Sequence, residues 1–215
     1  LIINTITKTF PHHYNTLTPL AKLITDYQLF IVKADSPCKT FGDLMAAVKK
    51  NPAAVKFAGG SNPGSMDHLA FCKVAKLAGV NPKDLTYVAF SGGGEALTTL
   101  LGGNVAFVST GVGEVLSHIE AGTVRALAIT SAERRSGALK DIPTLKEVGI
   151  NTTYEVWRGV FGPPGMSKEA QAFWAKTIKT SIGTKTWKES LEKLQWVTAY
   201  ADADGFAKFL KEEEK

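Results

Sequence analysis

Three short segments rich in glycine, serine and threonine have the residue types needed to bind an anion. They lie at 59–65 (GGSNPGS), 91–94 (SGGG) and 109–113 (STGVG), each between an apolar run and a helical pattern. The first N–H groups of a helix have no partner within the helix, and the helix dipole is positive at that end, so both favour negative charge. If the three junctions converge, the pattern predicts a site for a small carboxylate.

The backbone and hydroxyl donors of these segments are the candidate ligand-binding groups. Three consecutive glycines in the second segment let the backbone form a concave nest of N–H groups, which is the strongest of the three signals. Serine and threonine hydroxyls add donors in the other two segments. For each segment alone, a compact strand-to-helix turn is the alternative interpretation. The candidates are Gly60, Ser61, Gly64, Ser65, Ser91, Gly92, Gly93, Gly94, Ser109, Thr110 and Gly111.

The familiar catalytic and cofactor motifs are incomplete in this sequence. A GxSxG nucleophile motif would need glycine at Pro63, and a GxGxxG dinucleotide motif would need glycine at Leu116. The four histidines lack metal-ligand spacing. Cys38 and Cys72 form no CxxC pair, which leaves both a disulfide and two separate thiols open. We therefore expect a protein that is not an enzyme and needs neither a cofactor nor a metal.

Length and composition favour an α/β protein of one domain or two modest lobes. Of its 215 residues 44% are apolar, enough to bury a core, yet no apolar run reaches the length of a membrane span. The net charge is +5, but lysine and arginine are scattered without interleaved aromatic residues, which argues against nucleic acid. A mildly positive surface suits a protein that collects small anions.

Hydrophobic periodicity predicts the elements that position the three segments. Besides the apolar run before each junction, strands are predicted at 1–6, 26–33 and 124–130, and an extended segment at 152–161. Thr40 is expected to cap a helix that runs to residue 50. The helices after the junctions are predicted at 66–78, 95–101 and 114–121, ended by Gly79, Gly102 and Gly122.

The carboxyl-terminal part is predicted to be mostly helical. Helices are expected at 144–148, 167–181, 186–194 and 202–214, and a polar surface stretch at 133–141. Alternating strands and helices predict parallel sheets, in which ligands bind at the carboxyl ends of the strands.

Six segments of the sequence are informative when they are taken together and in their order along the chain. They are AGGSNPGSMDH, FSGGGEALTTLLGG, STGVGE, RALAITSAERR, DIPTLKEVGI and YEVWRGVFGPPGMS. Together they closely resemble the tripartite tricarboxylate transporter receptors, also called Bug receptors, with the tricarboxylate-binding branch nearest. The resemblance covers essentially the whole chain and implies a type II periplasmic-binding-protein-like fold, in which two crossing strands join two α/β lobes.

The resemblance implies a division of the chain into two lobes. Residues 1–33 and 129–215 would form lobe one, which is incomplete because the family's first strand and Gly-rich loop are missing. Residues 34–128 would form lobe two, and 26–33 and 124–130 would be the crossing segments. An exposed sheet edge near 1–6 would then favour self-association.

The resemblance also implies a function. A receptor of this family would bind a citrate-like di- or tricarboxylate between its lobes and deliver it to a membrane permease, without entering the membrane itself. Thr5 and Arg158 would close over the anion, although a surface ion pair is an equal interpretation of Arg158. The receptor would be periplasmic, with its export signal upstream of Leu1. The competing interpretation is the effector-binding domain of a bacterial transcription regulator of the same fold, preceded by a helix-turn-helix.

Overall fold

The computed structural model describes residues 13–214, and contacts divide this part of the chain into two units. Unit 1 consists of the segment up to Asp26 and the segment from Trp157 onward, and unit 2 consists of Tyr27–Val156. The predicted strand at 1–6, its proposed exposed edge and the candidate residue Thr5 lie outside the described residues. Within 13–214, no helix combines the length and apolar character needed to cross a bilayer.

Unit 2 is built on five strands. The 16-residue strand β1 (Thr18–Lys33) enters it at Tyr27, and the shorter strands are β2 (Phe57–Gly59), β3 (Tyr87–Ala89), β4 (Phe107–Gly111) and β5 (Val124–Ile129). The strand order is β3-β2-β4-β1-β5. β2 is parallel to β3 and β4, whereas β1 is antiparallel to β4 and β5. The sheet is therefore mixed, which corrects the prediction of purely parallel sheets.

Four helices cover the two faces of this sheet: α1 (Phe41–Lys50), α2 (Met66–Leu77), α3 (Gly93–Leu101) and α4 (Val112–Glu120). Phe41 and Phe71 from α1 and α2 belong to one apolar cluster, and Leu97 from α3 belongs to the other. Successive residues of β1 alternate between the clusters, with Phe30 in the first and Leu29 in the second. Alternation of this kind is expected of a strand that is buried on both faces.

Local capping signals set several helix ends as predicted. Thr40 and Asp43 form a capping box at the start of α1. Gly79 and Gly122 follow α2 and α4 with φ of +84° and +67°. Gly102 instead keeps a right-handed φ of −74°, and the left-handed residue is Gly103, one position later than predicted.

Two predictions for the segment after β5 are wrong. Residues 144–148 form turns instead of a helix. Thr144 and Glu147 make the reciprocal hydrogen bonds of a helix start, but Gly149 follows with a φ of +88° and ends the segment after a single turn. The stretch at 133–141 is not wholly a polar surface. It contains a 3-10 turn at Gly137–Leu139, and the Leu139 side chain is 1% exposed because it packs into the apolar cluster that contains Leu29 and Leu97.

Unit 1 combines the first part of β1 with two strands and three helices. These are β6 (Glu155–Gly162, its first two residues in unit 2), α5 (Lys168–Ile182), α6 (Lys185–Leu194), β7 (Val197–Ala201) and α7 (Ala203–Glu213). Both β6 and β7 pair with β1. Phe206 of α7 is fully buried and packs with Tyr14, Trp157 and Phe161. The sequence predicts the three helices but neither β7 nor the first half of β1.

The unit boundaries differ from the lobes expected from the sequence. Residues 27–33 and 129–156 were expected in lobe one but lie in unit 2. Gln28 and the residues after it pair with β4 and β5, and the Thr130 hydroxyl donates to the Tyr154 carbonyl at 2.6 Å. These contacts tie both segments to the five-stranded sheet. The correspondence of the two units to the family's lobes stays a prediction.

Candidate functional site

The three Gly-rich junctions lie side by side at one edge of the unit 2 sheet. β2 is the middle strand and pairs in parallel with both β3 and β4, with Phe57 opposite Tyr87 on one side and Phe107 on the other. Parallel neighbours end at the same edge, so the turns that follow them are adjacent. The Phe90 N–H also donates to the Gly59 carbonyl at 3.0 Å. We call this edge of β3, β2 and β4 the carboxyl edge.

The first two junctions are in direct contact. A Cβ atom placed on Gly60 would collide with the backbone of Gly92 and Gly93. Only glycine allows this approach without displacing one loop from the other. Gly64, in the same loop, has a φ of +82°, which favours glycine for a different reason. These two glycines explain the composition of the 59–65 loop.

Two of the predicted donors already have carboxylate partners within the chain. The Ser91 N–H donates to Glu95 Oε2 at 3.1 Å, and the Thr110 hydroxyl donates to Glu114 Oε2. The Glu114 carboxylate also lies where a side chain on Gly93 would have to go. The chain thus places a carboxylate of its own against the N-terminus of α3, which is the chemistry predicted for a ligand there. Sequence patterns did not single out Glu114 for this position.

Three buried oxygen atoms near the carboxyl edge have no hydrogen-bond partner in the described part of the chain: Ser61 Oγ, Ser109 Oγ and Gln28 Oε1. Ser109 is 0% exposed and Gln28 is 2% exposed. Gln28 lies opposite Gly111 and Phe30 lies opposite Ser109, so Gln28 and Ser109 are diagonal neighbours on one face of the β1–β4 ladder. Buried polar atoms are normally paired, so these three need a partner.

The remaining candidates of unit 2 occupy the starts of the helices. Ser65, Gly92 and Gly111 are the N-cap residues of α2, α3 and α4. Ser65 makes no capping hydrogen bond through its side chain to any described residue, so its hydroxyl does not serve as the predicted cap. Gly94 is exposed in the first turn of α3.

The 59–65 loop is held by two side chains that the sequence did not identify as important. The Tyr87 hydroxyl donates to the Ser61 carbonyl at 2.6 Å, and the Gly64 N–H donates to His68 Nδ1 at 2.9 Å. The two rings stack with centroids 4.6 Å apart. Burial lowers the pKa of His68 and raises the pKa of Tyr87. From the sequence alone His68 is only a histidine on a helix face.

Arg158 lies in unit 1 and has local partners there. Its guanidinium is 3.9 Å from the Asp26 carboxylate and 5.1 Å from the ring centroid of Trp196. The Arg158 side chain is 45% exposed, whereas the Asp26 side chain is 5% exposed. The neighbouring Trp157 donates to Glu213 at 3.0 Å. Arg158 therefore forms an ion pair with Asp26, as in the second interpretation of this residue from the sequence. A role for Arg158 in ligand binding stays a prediction.

The described residues offer no alternative centre for metal or redox chemistry. No group of three or more His, Cys, Asp or Glu side chains between residues 13 and 214 is arranged to hold a metal ion. Cys38 and Cys72 are both free thiols, and burial raises the pKa of Cys72.

Sequence comparison gives matches along nearly the whole chain. Residues 4–215 match the profile of the family described as Tripartite tricarboxylate transporter family receptor. The UPF0065 protein in the gbd 5' region of Cupriavidus necator is 30% identical over 184 residues, which are 85% of this chain and 54% of that protein. Protein BugT of Bordetella pertussis is 29% identical over 173 residues, 79% of this chain and 51% of that protein. The chain therefore spans about half the length of these curated relatives.

Solved structures confirm the predicted α/β, periplasmic-binding-protein-like fold. A TctC solute-binding protein from Polaromonas has a TM-score of 0.76 at 25% identity, over 99% of this chain and 72% of that one. MatC from Rhodopseudomonas palustris has a TM-score of 0.82 at 23% identity, over 92% and 67%. Rpa4515 from the same organism has a TM-score of 0.80 at 22% identity, over 92% and 65%.

Proposed function

Because this chain belongs to the tripartite tricarboxylate transporter receptor family, we propose that it binds a small di- or tricarboxylate at the carboxyl edge of unit 2. The observation that carries this proposal is the set of three buried oxygens, Ser61 Oγ, Ser109 Oγ and Gln28 Oε1, beside three adjacent helix starts. Donors and helix dipoles at such an edge are suited to carboxylate groups. The family is one of receptors, and the function proposed is binding without chemical conversion.

The energetics of such a site are favourable without a buried cation. Removing a carboxylate from water costs several kcal/mol even after relaxation. Charge-assisted hydrogen bonds return about 1.5–3 kcal/mol each, and a helix dipole adds up to about 2 kcal/mol. Two or three N–H or hydroxyl donors per carboxylate are therefore enough. The Ser61 and Ser109 hydroxyls, together with first-turn N–H groups of α2, can supply that number.

The acceptor at Gln28 favours a ligand that also carries a hydroxyl group. Serine hydroxyls can donate or accept, but an amide oxygen only accepts, so it is satisfied by a donor and not by a carboxylate. The solved structure of MatC contains malate, a hydroxylated dicarboxylate, and that of Rpa4515 contains adipate, which has no hydroxyl. Both neighbours support a dicarboxylate, and the Gln28 acceptor is the reason to propose a citrate-like or malate-like ligand here.

The family supports a proposal for the cellular role. A receptor of a tripartite transporter presents its ligand to membrane components of that transporter. We propose that this protein does so in the periplasm, as a carrier between the outer environment and the permease.

Isothermal titration calorimetry with matched ligands tests the proposal. Citrate is compared with tricarballylate, which lacks its hydroxyl, malate with succinate, and each acid with its neutral amide. We expect saturable binding of the acids, none of the amides, and tighter binding of the hydroxylated member of each pair. Ser61→Ala and Ser109→Ala should weaken binding, whereas Ser190→Ala on α6, whose hydroxyl donates to the Thr186 carbonyl of its own helix, should not. Equal heats for acids and amides would exclude a carboxylate site.

A further inference from the structure

The side chains of Tyr87 and His68, which lie outside the 59–65 loop, each make a hydrogen bond to the backbone of that loop. Tyr87, on β3, donates its hydroxyl to the Ser61 carbonyl at 2.6 Å. His68, on α2, accepts the Gly64 N–H at Nδ1, with a distance of 2.9 Å. Because the Ser61 carbonyl and the Gly64 N–H lie three positions apart, the two bonds fix most of the loop between β2 and α2.

The hydrogen bond at Gly64 determines which nitrogen of His68 carries the proton. A backbone N–H is only a donor, so Nδ1 must be unprotonated and the neutral ring must carry its proton on Nε2. Protonation of Nδ1 would place two donors against each other and break the contact. The Gly64 conformation, with φ of +82°, then loses the bond that holds it from the helix side.

Ring packing restrains the orientation of the His68 imidazole. The imidazole stacks on Tyr87 at 4.6 Å and on Phe57 at 6.0 Å, and Phe57 in turn packs on Phe71 and Phe107 in the apolar cluster. The Tyr87 hydroxyl oxygen lies only 2.6 Å from where a Cβ on Gly59 would be. His68, Tyr87 and the start of the loop are therefore packed directly against one another.

We propose that His68 and Tyr87 are positioning residues that hold the 59–65 loop in its ligand-binding conformation, and that protonation of His68 releases the loop and weakens carboxylate binding. The inference rests on the proposed function, because it concerns the same carboxyl edge. Neither residue needs to touch the ligand. Their effect is on the Ser61 and Gly64 backbone, through the two hydrogen bonds described above.

The ionisable groups around the ring decide the direction of the effect. Asp67 is the preceding residue of α2 and is 3% exposed, Cys72 lies one turn further along the same helix, and Tyr87 faces the ring from β3. Asp67 raises the pKa of Tyr87 by charge, after the larger effect of burial. Burial lowers the pKa of His68, so the neutral, loop-holding form predominates at neutral pH. A direct attraction between imidazolium and a carboxylate ligand would act in the opposite sense and strengthen binding in acid.

The first test needs no ligand. Long-range ¹H–¹⁵N NMR of the protein at pH 7.5 is expected to show His68 with a protonated Nε2 and an unprotonated Nδ1. On acidification, the Gly64 amide should lose its protection from exchange relative to the His68→Asn variant at the same pH. A protonated Nδ1 at pH 7.5, or Gly64 protection that does not change with His68 titration, would overturn the inference even if carboxylates bind well.

The second test measures affinity for malate by calorimetry between pH 7.5 and 5. Asn places its oxygen near the position of Nδ1 and does not titrate, so His68→Asn keeps the acceptor and removes the switch. The ratio of wild-type to His68→Asn affinity is expected to fall severalfold over this range, because the neutral ring that holds the loop is lost in acid only in the wild type. Protonation of the ligand itself cancels in the ratio.

Matched variants separate positioning from folding. His68→Phe keeps an aromatic ring but removes the acceptor, and should bind weakly at every pH while thermal unfolding remains cooperative. His118→Asn changes a histidine at the far end of α4, whose Nδ1 lies 3.0 Å from Thr123 Oγ1, and should reproduce the wild-type pH profile. A wild-type profile that His68→Asn leaves unchanged, or affinity that rises in acid, would contradict the role of His68. Absence of any malate binding in all variants would instead count against the proposed function and leave the NMR test standing.

Discussion

Gln28 and Gly111 lie opposite each other in the antiparallel ladder between β1 and β4. Gly111 is the N-cap residue of α4, and Gln28 is a buried amide in an otherwise apolar part of β1. This pairing brings an acceptor-only oxygen to the same edge as the helix starts that favour anions. A ligand with both carboxylate and hydroxyl groups satisfies both kinds of group.

Replacement of Gln28 by methionine tests this complementarity. Gln28→Met keeps the length of the side chain but removes its acceptor, so we expect affinity for malate to fall by about threefold to tenfold, the equivalent of one neutral hydrogen bond, with little change for succinate. Calorimetry with the two acids measures the difference. Gln171→Met on α5, which removes a bond to the Met166 carbonyl in unit 1, should leave both affinities unchanged. Equal losses for malate and succinate would show that Gln28 acts only through packing.

Gly60 should tolerate no side chain. Gly60→Ala would push against the Gly92–Gly93 backbone, which cannot rotate away, and we expect a loss of about 1–3 kcal/mol in the free energy of unfolding. Gly42→Ala in α1 is the matched control, because its nearest neighbour would be 3.6 Å from the new Cβ. Removing a helical glycine should stabilise the chain by about 0.5–1 kcal/mol. Urea denaturation compares the two, and similar free energies for both variants would mean that the loops do not touch.

Removal of the Tyr87 hydroxyl alone should lower both the stability of the fold and the affinity for carboxylates. Tyr87→Phe leaves the Ser61 carbonyl without its donor, so we expect about 1 kcal/mol lower stability and weaker carboxylate binding, with the stacking on His68 retained. Tyr200→Phe changes an exposed tyrosine of β7 and serves as the control. Thermal unfolding and calorimetry on both variants give the answer. If Tyr87→Phe has the stability and the carboxylate affinity of the wild type, the hydroxyl does not position the loop.

Glu147, which lies outside the proposed binding site, should make the stability of the fold depend on pH. The Thr144 N–H and then the Arg134 guanidinium hold the pKa of Glu147 below its ordinary value. A carboxyl with a lowered native pKa stabilises the fold above its unfolded-state pKa, and this contribution is lost as pH falls through the native pKa. The Tm of Glu147→Gln should therefore lie below wild type at pH 7, and the gap should close in acid. Glu120→Gln on α4 is the control, and a gap that persists at low pH would point to another cause.

Several short-range signals in the sequence predicted the structure correctly, although the helix at 144–148 and the Ser65 cap were wrong. The Thr40 cap, and Gly79 and Gly122 after their helices, act through neighbours within a few residues, and the structure has them as predicted. The Gly-rich junctions are strand-to-helix turns, as the sequence indicated, but the nest predicted at 92–94 is wrong. Gly92 is extended with a φ of −175°, α3 begins at Gly93, and none of the three glycines has a positive φ. The short strand β7, with its half-buried alternation, carried too little signal to separate it from a loop.

Contacts between distant residues could not be predicted in the same way. Glu114 reaches Gly93, Tyr87 reaches Ser61, and Gln28 pairs with Gly111 only because the strand order places them together. The sequence contains both residues of each pair but does not show that they are in contact. A single glutamine in the apolar run after Tyr27 was the one available hint, since a polar side chain in a doubly buried strand needs a reason.

The most direct test of the carboxylate site is a titration of ¹⁵N-labelled protein with malate, followed by amide NMR. The account predicts saturable shifts concentrated at Ser61, Gly64, Gly93, Ser109 and Gly111, with a common dissociation constant and no response to the diamide of malate. Saturable shifts confined to other parts of the chain, or identical shifts with the diamide, would contradict it.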